Sequence, residues 1–283
     1  PLFKQTTAYQ MQGSLVGSAM CIRDRTHTFV VQDPGASEAR EITMTSAQIT
    51  VDPVQLEGTT FDTPTGLVGY LFFSRHIATA EQQLIDAIAE FEDLGITDLV
   101  LDLRYNGGGF LDIANELAYM IAGPSAADGR TFEETQFNDK HTVRNPVTGA
   151  QLIPTPFHTT SRGFGSATVG EPLPSLNLPR VFILAGSRTC SASESIINGL
   201  RGIDIEVILI GATTCGKPYG FYAFDNCGTT YFSIQFRGVN AKGFGDFTDG
   251  FSPENTNQTE GIPLPGCSVA DDFEHALGDP LEG

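Results

Sequence analysis

Basic charge is scarce in this 283-residue chain: 16 Lys and Arg stand against 34 Asp and Glu, a formal net charge of −18. No basic run is present, which excludes nucleic acid and anionic membrane surfaces as expected partners. No apolar stretch approaches the roughly 20 residues a membrane-spanning helix needs. No C-x-x-C spacing occurs and the five histidines are scattered, so neither a metal site nor another cofactor is expected. An initiator Met and a signal peptide are also missing from the sequence. The chain therefore reads as a fragment whose targeting segment lies elsewhere, and its end at Pro280-Leu281-Glu282-Gly283 reads the same way.

Residues 1–25 read as a non-native arm. Met20-Cys21-Ile22-Arg23-Asp24-Arg25 resembles the translated transposon end of a sequencing-library adapter, and Leu15-Val16-Gly17-Ser18 matches the adjoining bases in frame. Fold reasoning starts after Arg25, and Cys21 drops out of the cysteine count.

What is present is a set of three stretches that can meet. Val181-Phe182-Ile183-Leu184-Ala185-Gly186 is a short apolar run ending in glycine, the pattern of a buried strand. Ser191-Ala192-Ser193-Glu194 follows, with Ile196, Ile197 and Leu200 at helical spacing. A serine is thus expected between a strand and a helix, where unpaired N–H groups sit at the positive end of the helix dipole. That position suits a nucleophile whose attack creates an oxyanion, although serine is also an ordinary helix cap. The second stretch, Asp98-Leu99-Val100-Leu101-Asp102-Leu103-Arg104-Tyr105-Asn106-Gly107-Gly108-Gly109, runs from a strand into three glycines that allow close backbone approach. A helix pattern with Ile113, Leu117 and Met120 comes next. The third, Val207 to Gly211, is a strand that delivers Thr213-Thr214-Cys215-Gly216-Lys217. A lysine held in an apolar pocket has a depressed pKa and can act as a general base.

In this order the DLRYNGGG, SASE and GK motifs resemble the C-terminal processing peptidases, or tail-specific proteases, from about Gly69 to Lys217. The resemblance implies a serine endopeptidase with a Ser191/Lys217 dyad, an oxyanion hole made by the N–H groups of Gly108 and Ala192, and protein or peptide substrates. It also implies an exported bacterial protein, periplasmic, cell-envelope or secreted. The expected fold is α/β, a mixed or parallel sheet core with flanking helices (ClpP/crotonase-like βαβ repeats), plus a C-terminal hairpin region. Residues 26–57 would be the remnant of a preceding peptide-binding PDZ-like domain, and 58–283 the catalytic core with a truncated tail. The chain departs from the family at Phe221, where related enzymes often place a glutamine that orients the lysine. Gln235 on the paired strand is the candidate substitute, and Phe221 would at least desolvate the amine.

Along the chain, Thr28–Val31 and Ile49–Val51 read as strands, and Leu67–Phe73 as the first core strand. Thr79 and Gln82 have capping-box spacing ahead of a helix carrying Leu84, Ile85, Ile88 and Phe91, which Gly95 closes. Strand, helix, strand, helix implies a parallel α/β core, whose ligands gather at the carboxyl ends of strands. Arg104 and Asn106 flank the glycine turn and either brace it or contact a peptide. Residues 123–179 read as an excursion, with strands at Thr131–Phe137 and around Leu152, that covers the site or is a plain insertion. Gly220–Phe224 and Thr229–Phe236 read as a hairpin turning at Asp225-Asn226-Cys227-Gly228, and Asp271–Leu277 as a helical hint.

Cys190, Cys215, Cys227 and Cys267 allow three full pairings, with Cys215–Cys227 and Cys190–Cys215 both feasible. Cys190 could replace Ser191 as nucleophile, but its place before the helix favours Ser191. His76 lacks a partnering acid motif and reads as a packed or surface residue. Two other function classes stay open: a catalytically silent peptide-binding relative, and another hydrolase or acyl-transfer enzyme on the same core.

Overall fold

The computed structural model describes residues 26–272 and 275, apart from positions 34, 48 and 256–260. The adapter-like segment lies outside the described residues, as does most of the helical hint at 271–277. The chain divides into two units between Val51 and Asp52. In the first, β1 (Thr26–Val31) and β2 (Arg40–Thr45) form an antiparallel pair that sets Phe29 opposite Ile42. The expected strand at 49–51 is not formed; the residues that pair with β1 are the alternating run Arg40–Thr45.

The second unit begins with β3 (Val54–Thr63), β4 (Gly66–Phe73), α1 (Ala80–Leu94), β5 (Asp98–Asp102), α2 (Leu111–Ala122) and the single turn α3 (Pro124–Ala127). It continues through β6 (Thr131–Gln136), β7 (Thr155–Pro156), β8 (Arg180–Ala185), α4 (Ala192–Gly202) and β9 (Glu206–Gly211). Short strands complete it: β10 (Tyr219–Gly220), β11 (Phe224–Asn226), β12 (Thr229–Tyr231), β13 (Phe236–Val239), β14 (Phe251–Pro253), β15 (Ile262–Leu264) and β16 (Gly266–Ser268).

The main sheet has the order β16-β9-β8-β5-β4-β3 and is parallel except for β3, which runs antiparallel to β4 at one edge. The mixed α/β core is thus as expected. β3 spans residues 54–63 and pairs with β4 at Val54 and Gln55 and again from Thr59 to Thr63, with a register shift between, so the start of β3 belongs to this sheet. One face of the sheet's central strands is fully covered: Leu71, Leu99, Leu101, Val181, Ile183 and Leu209 lie in register on that face and have no exposed surface, whereas Val100, Phe182, Leu184 and Ile208 on the other face are half-buried. Leu84, Ile88 and Phe91 of α1 and Ile113 and Leu117 of α2 join that core, each such side chain contributing about 1.5–3 kcal/mol by leaving water. Gly95 ends α1 in the left-handed conformation (φ 69°, ψ 45°), its N–H bonded to the carbonyls of Phe91 and Glu92.

Parallel register brings the carboxyl ends of β5, β8 and β9 together. Asp102 lies beside Leu184, and Ala185 beside Gly211. The three loops singled out by their motifs therefore leave one edge of the sheet side by side. The expected hairpin is formed, with its arms paired at the tip and at the base and irregular between them. Its tip is the pair β11 and β12, and its base is the pair β10 and β13, which extends through β6 to β7 as a sheet of order β10-β13-β6-β7.

The excursion after α2 is anchored by two buried acids. Glu81 on α1 accepts the backbone N–H groups of Arg162, Gly163 and Phe164, and Glu116 on α2 also accepts that of Arg162. Both carboxyls are about 1% exposed. The Phe164 held in this way stacks on Phe110, the residue after the three glycines, at 5.0 Å between ring centroids. Burial, reinforced by the neighbouring Glu81, pushes the Glu116 carboxyl up to about 9. A carboxyl whose folded pKa is raised binds its proton more tightly in the native state. Its contribution is complete below the ordinary pKa near 4.5 and is lost as pH rises towards 9. Glu116→Gln mimics the protonated form and keeps an acceptor for Arg162. It is expected to raise unfolding stability at pH 7 by roughly 2–3 kcal/mol and to leave it unchanged near pH 4. Denaturant unfolding at the two pH values checks this, and equal gains at both would contradict the protonated state of Glu116.

Candidate active site

Ser191 sits at the junction of the β8 loop and α4 with φ 57° and ψ −117°. A non-glycine residue with positive φ at a strand-to-helix turn is strained. The next residue, Ala192, is buried, and its N–H has no acceptor among the described residues. It is one of the unpaired donors at a helix start, oriented by the helix dipole.

The glycine turn lies directly against this junction. Gly108 has φ +90°, and a Cβ added there would stand 2.7 Å from Cys190 O, 2.8 Å from Ala192 N and 2.9 Å from Ser191 Cβ. Only glycine permits so close a pass. Two further bonds fasten the loops: Asn106 O accepts from Cys190 N at 3.1 Å and from Ser193 Oγ at 2.9 Å. The Gly108 N–H, expected as the second oxyanion donor, is directed instead to Asn106 Oδ1 at 3.0 Å.

Glu194 joins the serine loop to the lysine loop, a role that was not anticipated from sequence. This fully buried carboxylate accepts four hydrogen bonds. Oε2 takes the N–H groups of Ser191 (2.9 Å) and Lys217 (2.8 Å). Oε1 takes the Thr214 hydroxyl (2.6 Å) and the Gly216 N–H (2.8 Å). The backbones of Ser191 and Lys217 thus lie one hydrogen bond from the same oxygen. Charged acceptors make the stronger hydrogen bonds, and the carboxylate also faces the positive end of α4. The available signal was its place three residues after Ser191, the capping-box spacing.

A disulfide makes a second tie between the same loops. Cys190, immediately before the serine, is bonded to Cys215, with Cα atoms 5.3 Å apart. Of the pairings left open by sequence, this one follows from β8 and β9 being neighbours. Cys227 is a free, exposed thiol in the hairpin turn, and Cys267 is also free.

The Lys217 side chain does not hydrogen-bond Ser191 in this structure. Its Nζ lies 5.0 Å from the centroid of the Phe221 ring, a cation–π contact on a ring that is itself 39% exposed. The aromatic side chain at the departure point thus meets the Lys217 amine, but as a cation–π partner in a half-open setting and not as the desolvating cover the sequence suggested. Gln235 does not reach the lysine. Its Oε1 accepts the Tyr222 N–H at 2.8 Å and its own N–H goes to Gly220 O at 3.0 Å, so it braces the base of the hairpin.

Arg104 is structural at close range. Its guanidinium grips the buried Asp102 through Nε and Nη2 (2.7 Å for the shortest bond) and reaches Asp271 at 2.8 Å through Nη1. Tyr70 also donates to Asp102, at 2.6 Å. Tyr105 donates to Asp271, and burial together with that carboxylate raises its phenol above the ordinary range. This network fixes the start of the glycine turn. His76, read as packed or on the surface, is fully buried and hydrogen-bonded to Asn106. Among the described residues no group of three or more His, Cys, Asp or Glu could hold a metal ion, and no helix is long and apolar enough to cross a membrane.

This arrangement agrees with what the chain resembles. A carboxyl-terminal-processing protease of Picosynechococcus sp. is 24% identical over 193 residues, which are 68% of this chain and 39% of that protein. The crystal structure of a putative S41 protease from Bacteroides fragilis superposes with a TM-score of 0.60 at 23% identity, covering 85% of this chain and 61% of the other. A photosystem II D1 C-terminal processing protease gives 0.53 at 22% identity, covering 85% and 56%. The chain thus spans between about two fifths and three fifths of the length of these proteins, and the structural likenesses show a shared fold. The sequence model of peptidase family S41 matches residues 67–221, more than half of the chain and the whole segment from β4 through the lysine loop to Phe221. The chain belongs to peptidase family S41.

Proposed function

We propose that this chain is the catalytic part of a serine endopeptidase of the C-terminal processing type. It would cleave protein substrates through an acyl-enzyme on Ser191. The observation that carries this reading is the seating of the Gly108 backbone against Ser191 and Ala192, with Glu194 holding the Lys217 backbone to the same point. In the reaction, Lys217 leaves the Phe221 ring and, as the neutral amine, takes the hydroxyl proton while Ser191 Oγ bonds to the peptide carbonyl carbon. The carbonyl electrons move to oxygen. The Ala192 N–H, joined by that of Gly108, stabilises this oxyanion; such donors are worth about 3–4 kcal/mol each in hydrolases. The lysine ammonium returns the proton to the leaving amine as the C–N bond breaks. Water then attacks the acyl-enzyme by the same steps and releases the carboxylate.

The Cys190–Cys215 disulfide supports an oxidising compartment, and with it an exported location. A second reading, a silent peptide-binding relative, draws on two observations: no hydrogen bond joins Ser191 to Lys217, and the Gly108 N–H is already engaged. One experiment separates them. Cleavage of an unfolded protein by the wild-type chain, lost in Ser191→Ala, is expected for the peptidase. Binding of that substrate without cleavage by either protein would leave the silent relative.

A further inference from the structure

His76 is fully buried just beyond the end of β4, and its backbone pairs with the glycine turn. His76 N donates to Gly108 O at 3.2 Å, and Phe110 N to His76 O at 2.9 Å. Its ring makes one polar contact. Nδ1 lies 3.0 Å from Asn106 Oδ1, the same oxygen that receives the Gly108 N–H at 3.0 Å. The amide orientation of Asn106 is set independently, because its Nδ2 donates to Phe73 O at 3.0 Å and its oxygen faces a backbone donor. His76 must therefore be the donor at Nδ1, and the proton is on that nitrogen. Nε2 is buried and has no partner among the described residues. Burial pulls the imidazole down to about 3, so the ring stays neutral through the physiological range. A neutral, single-tautomer histidine with one contact serves that contact.

The consequence concerns Asn106 Oδ1. Asn106 has no exposed surface, so its carbonyl oxygen cannot turn to water when it loses a donor. If Gly108 supplied the only donor, moving that N–H to a substrate oxyanion would strand a buried acceptor, a costly state. With His76 as a second donor the oxygen stays satisfied. We propose that His76 is a positioning residue of the oxyanion hole, which keeps Asn106 Oδ1 occupied so that the Gly108 N–H can turn from Asn106 to the tetrahedral intermediate. This inference rests on the peptidase reading above, with Gly108 as a donor.

The test compares steady-state cleavage of a peptide by wild type, His76→Phe and His76→Asn. Phenylalanine fills the space without a donor, whereas an asparagine amide can place one near the position of Nδ1. His76→Phe is expected to lower kcat about 10- to 100-fold with KM changed less than threefold, and His76→Asn to recover most of that loss. A merely structural role would not spare KM or be rescued by asparagine. A wild-type kcat in folded His76→Phe overturns the role of His76 alone. Absence of Ser191-dependent cleavage in the wild type instead removes the peptidase reading, and this role with it. A measurement on the wild type covers failure of the variants to fold. When a peptide boronic acid forms its tetrahedral adduct on Ser191, the Gly108 amide resonance is expected to shift as its proton leaves Asn106. An adduct that leaves this resonance in place overturns the proposal.

Discussion

Replacing Glu194 by alanine is expected to lower peptide cleavage by at least about 100-fold and to destabilise the fold by about 3 kcal/mol or more. The carboxylate has no contact with a reacting atom in this structure, so the effect passes through position. Without it the N–H groups of Ser191, Gly216 and Lys217 and the Thr214 hydroxyl lose a buried acceptor together. Hydrogen bonds to a charged group contribute about 1.5–3 kcal/mol each, and orphaned buried donors add their own cost. A displacement of about 1 Å at a reacting pair is enough for a 100-fold loss. Glu194→Gln is a poor substitute, because its NH2 group would face N–H donors, and its rate should fall between the two. The Cys190–Cys215 bond still ties the loops, so the variant should fold and be measurable. Thermal unfolding and cleavage rates on one preparation check both halves, and a wild-type rate in folded Glu194→Ala would show that the clamp does not serve the chemistry.

The second large effect is expected at Gly108, and it should contrast with the neighbouring glycine. An alanine Cβ at 108 meets two backbone atoms of the serine loop, Cys190 O and Ala192 N, below 3 Å, and neither can move without shifting the nucleophile. The positive φ of +90° adds strain of about 1 kcal/mol or more for any residue with a Cβ. Gly108→Ala is therefore expected to lose more than about 100-fold in activity and about 2–4 kcal/mol in stability. At Gly107 an added Cβ meets nothing within 4 Å. Gly107→Ala should stay within a few-fold of wild type and within about 0.5 kcal/mol. If the two variants behave alike, the turn serves as a flexible linker, and the close approach at Gly108 is not what the chemistry uses.

Much of the architecture could be read from the residues because it depends on short-range pattern. The apolar runs Leu67–Phe73, Leu99–Leu101, Val181–Ala185 and Val207–Gly211 mark strands with no water-facing polar side, and all four lie in the main sheet with one face fully buried and the other half-covered. Gly95 marks a helix end for a local reason, the left-handed conformation. The long hairpin was only partly legible. Alternation of aromatic and β-branched residues predicts extended chain, but a strand's further partner is chosen by the rest of the fold. The arms pair with each other at the tip and again at the base, where Gly220 faces Phe236, and β13 takes β6 as a second partner on its other side. Ile49–Val51 looked like a strand for the same kind of reason. In the fold Arg40–Thr45, more polar but in register, pairs with β1.

The order of strands and helices, the three loops at strand ends and the residue types available there follow from local pattern, because hydrophobic period and glycine positions act over a few residues. Composition alone sets the acidity that disfavours nucleic acid and anionic membrane as partners. Which of those residues touch is settled by the packed fold. It paired Cys190 with Cys215, made Glu194 the link between Ser191 and Lys217, turned Gln235 to the hairpin base, and placed the buried His76 on Asn106. These contacts join residues up to about 30 positions apart. They exist because parallel strand register brings separate loops to one edge, where each buried donor must find an acceptor.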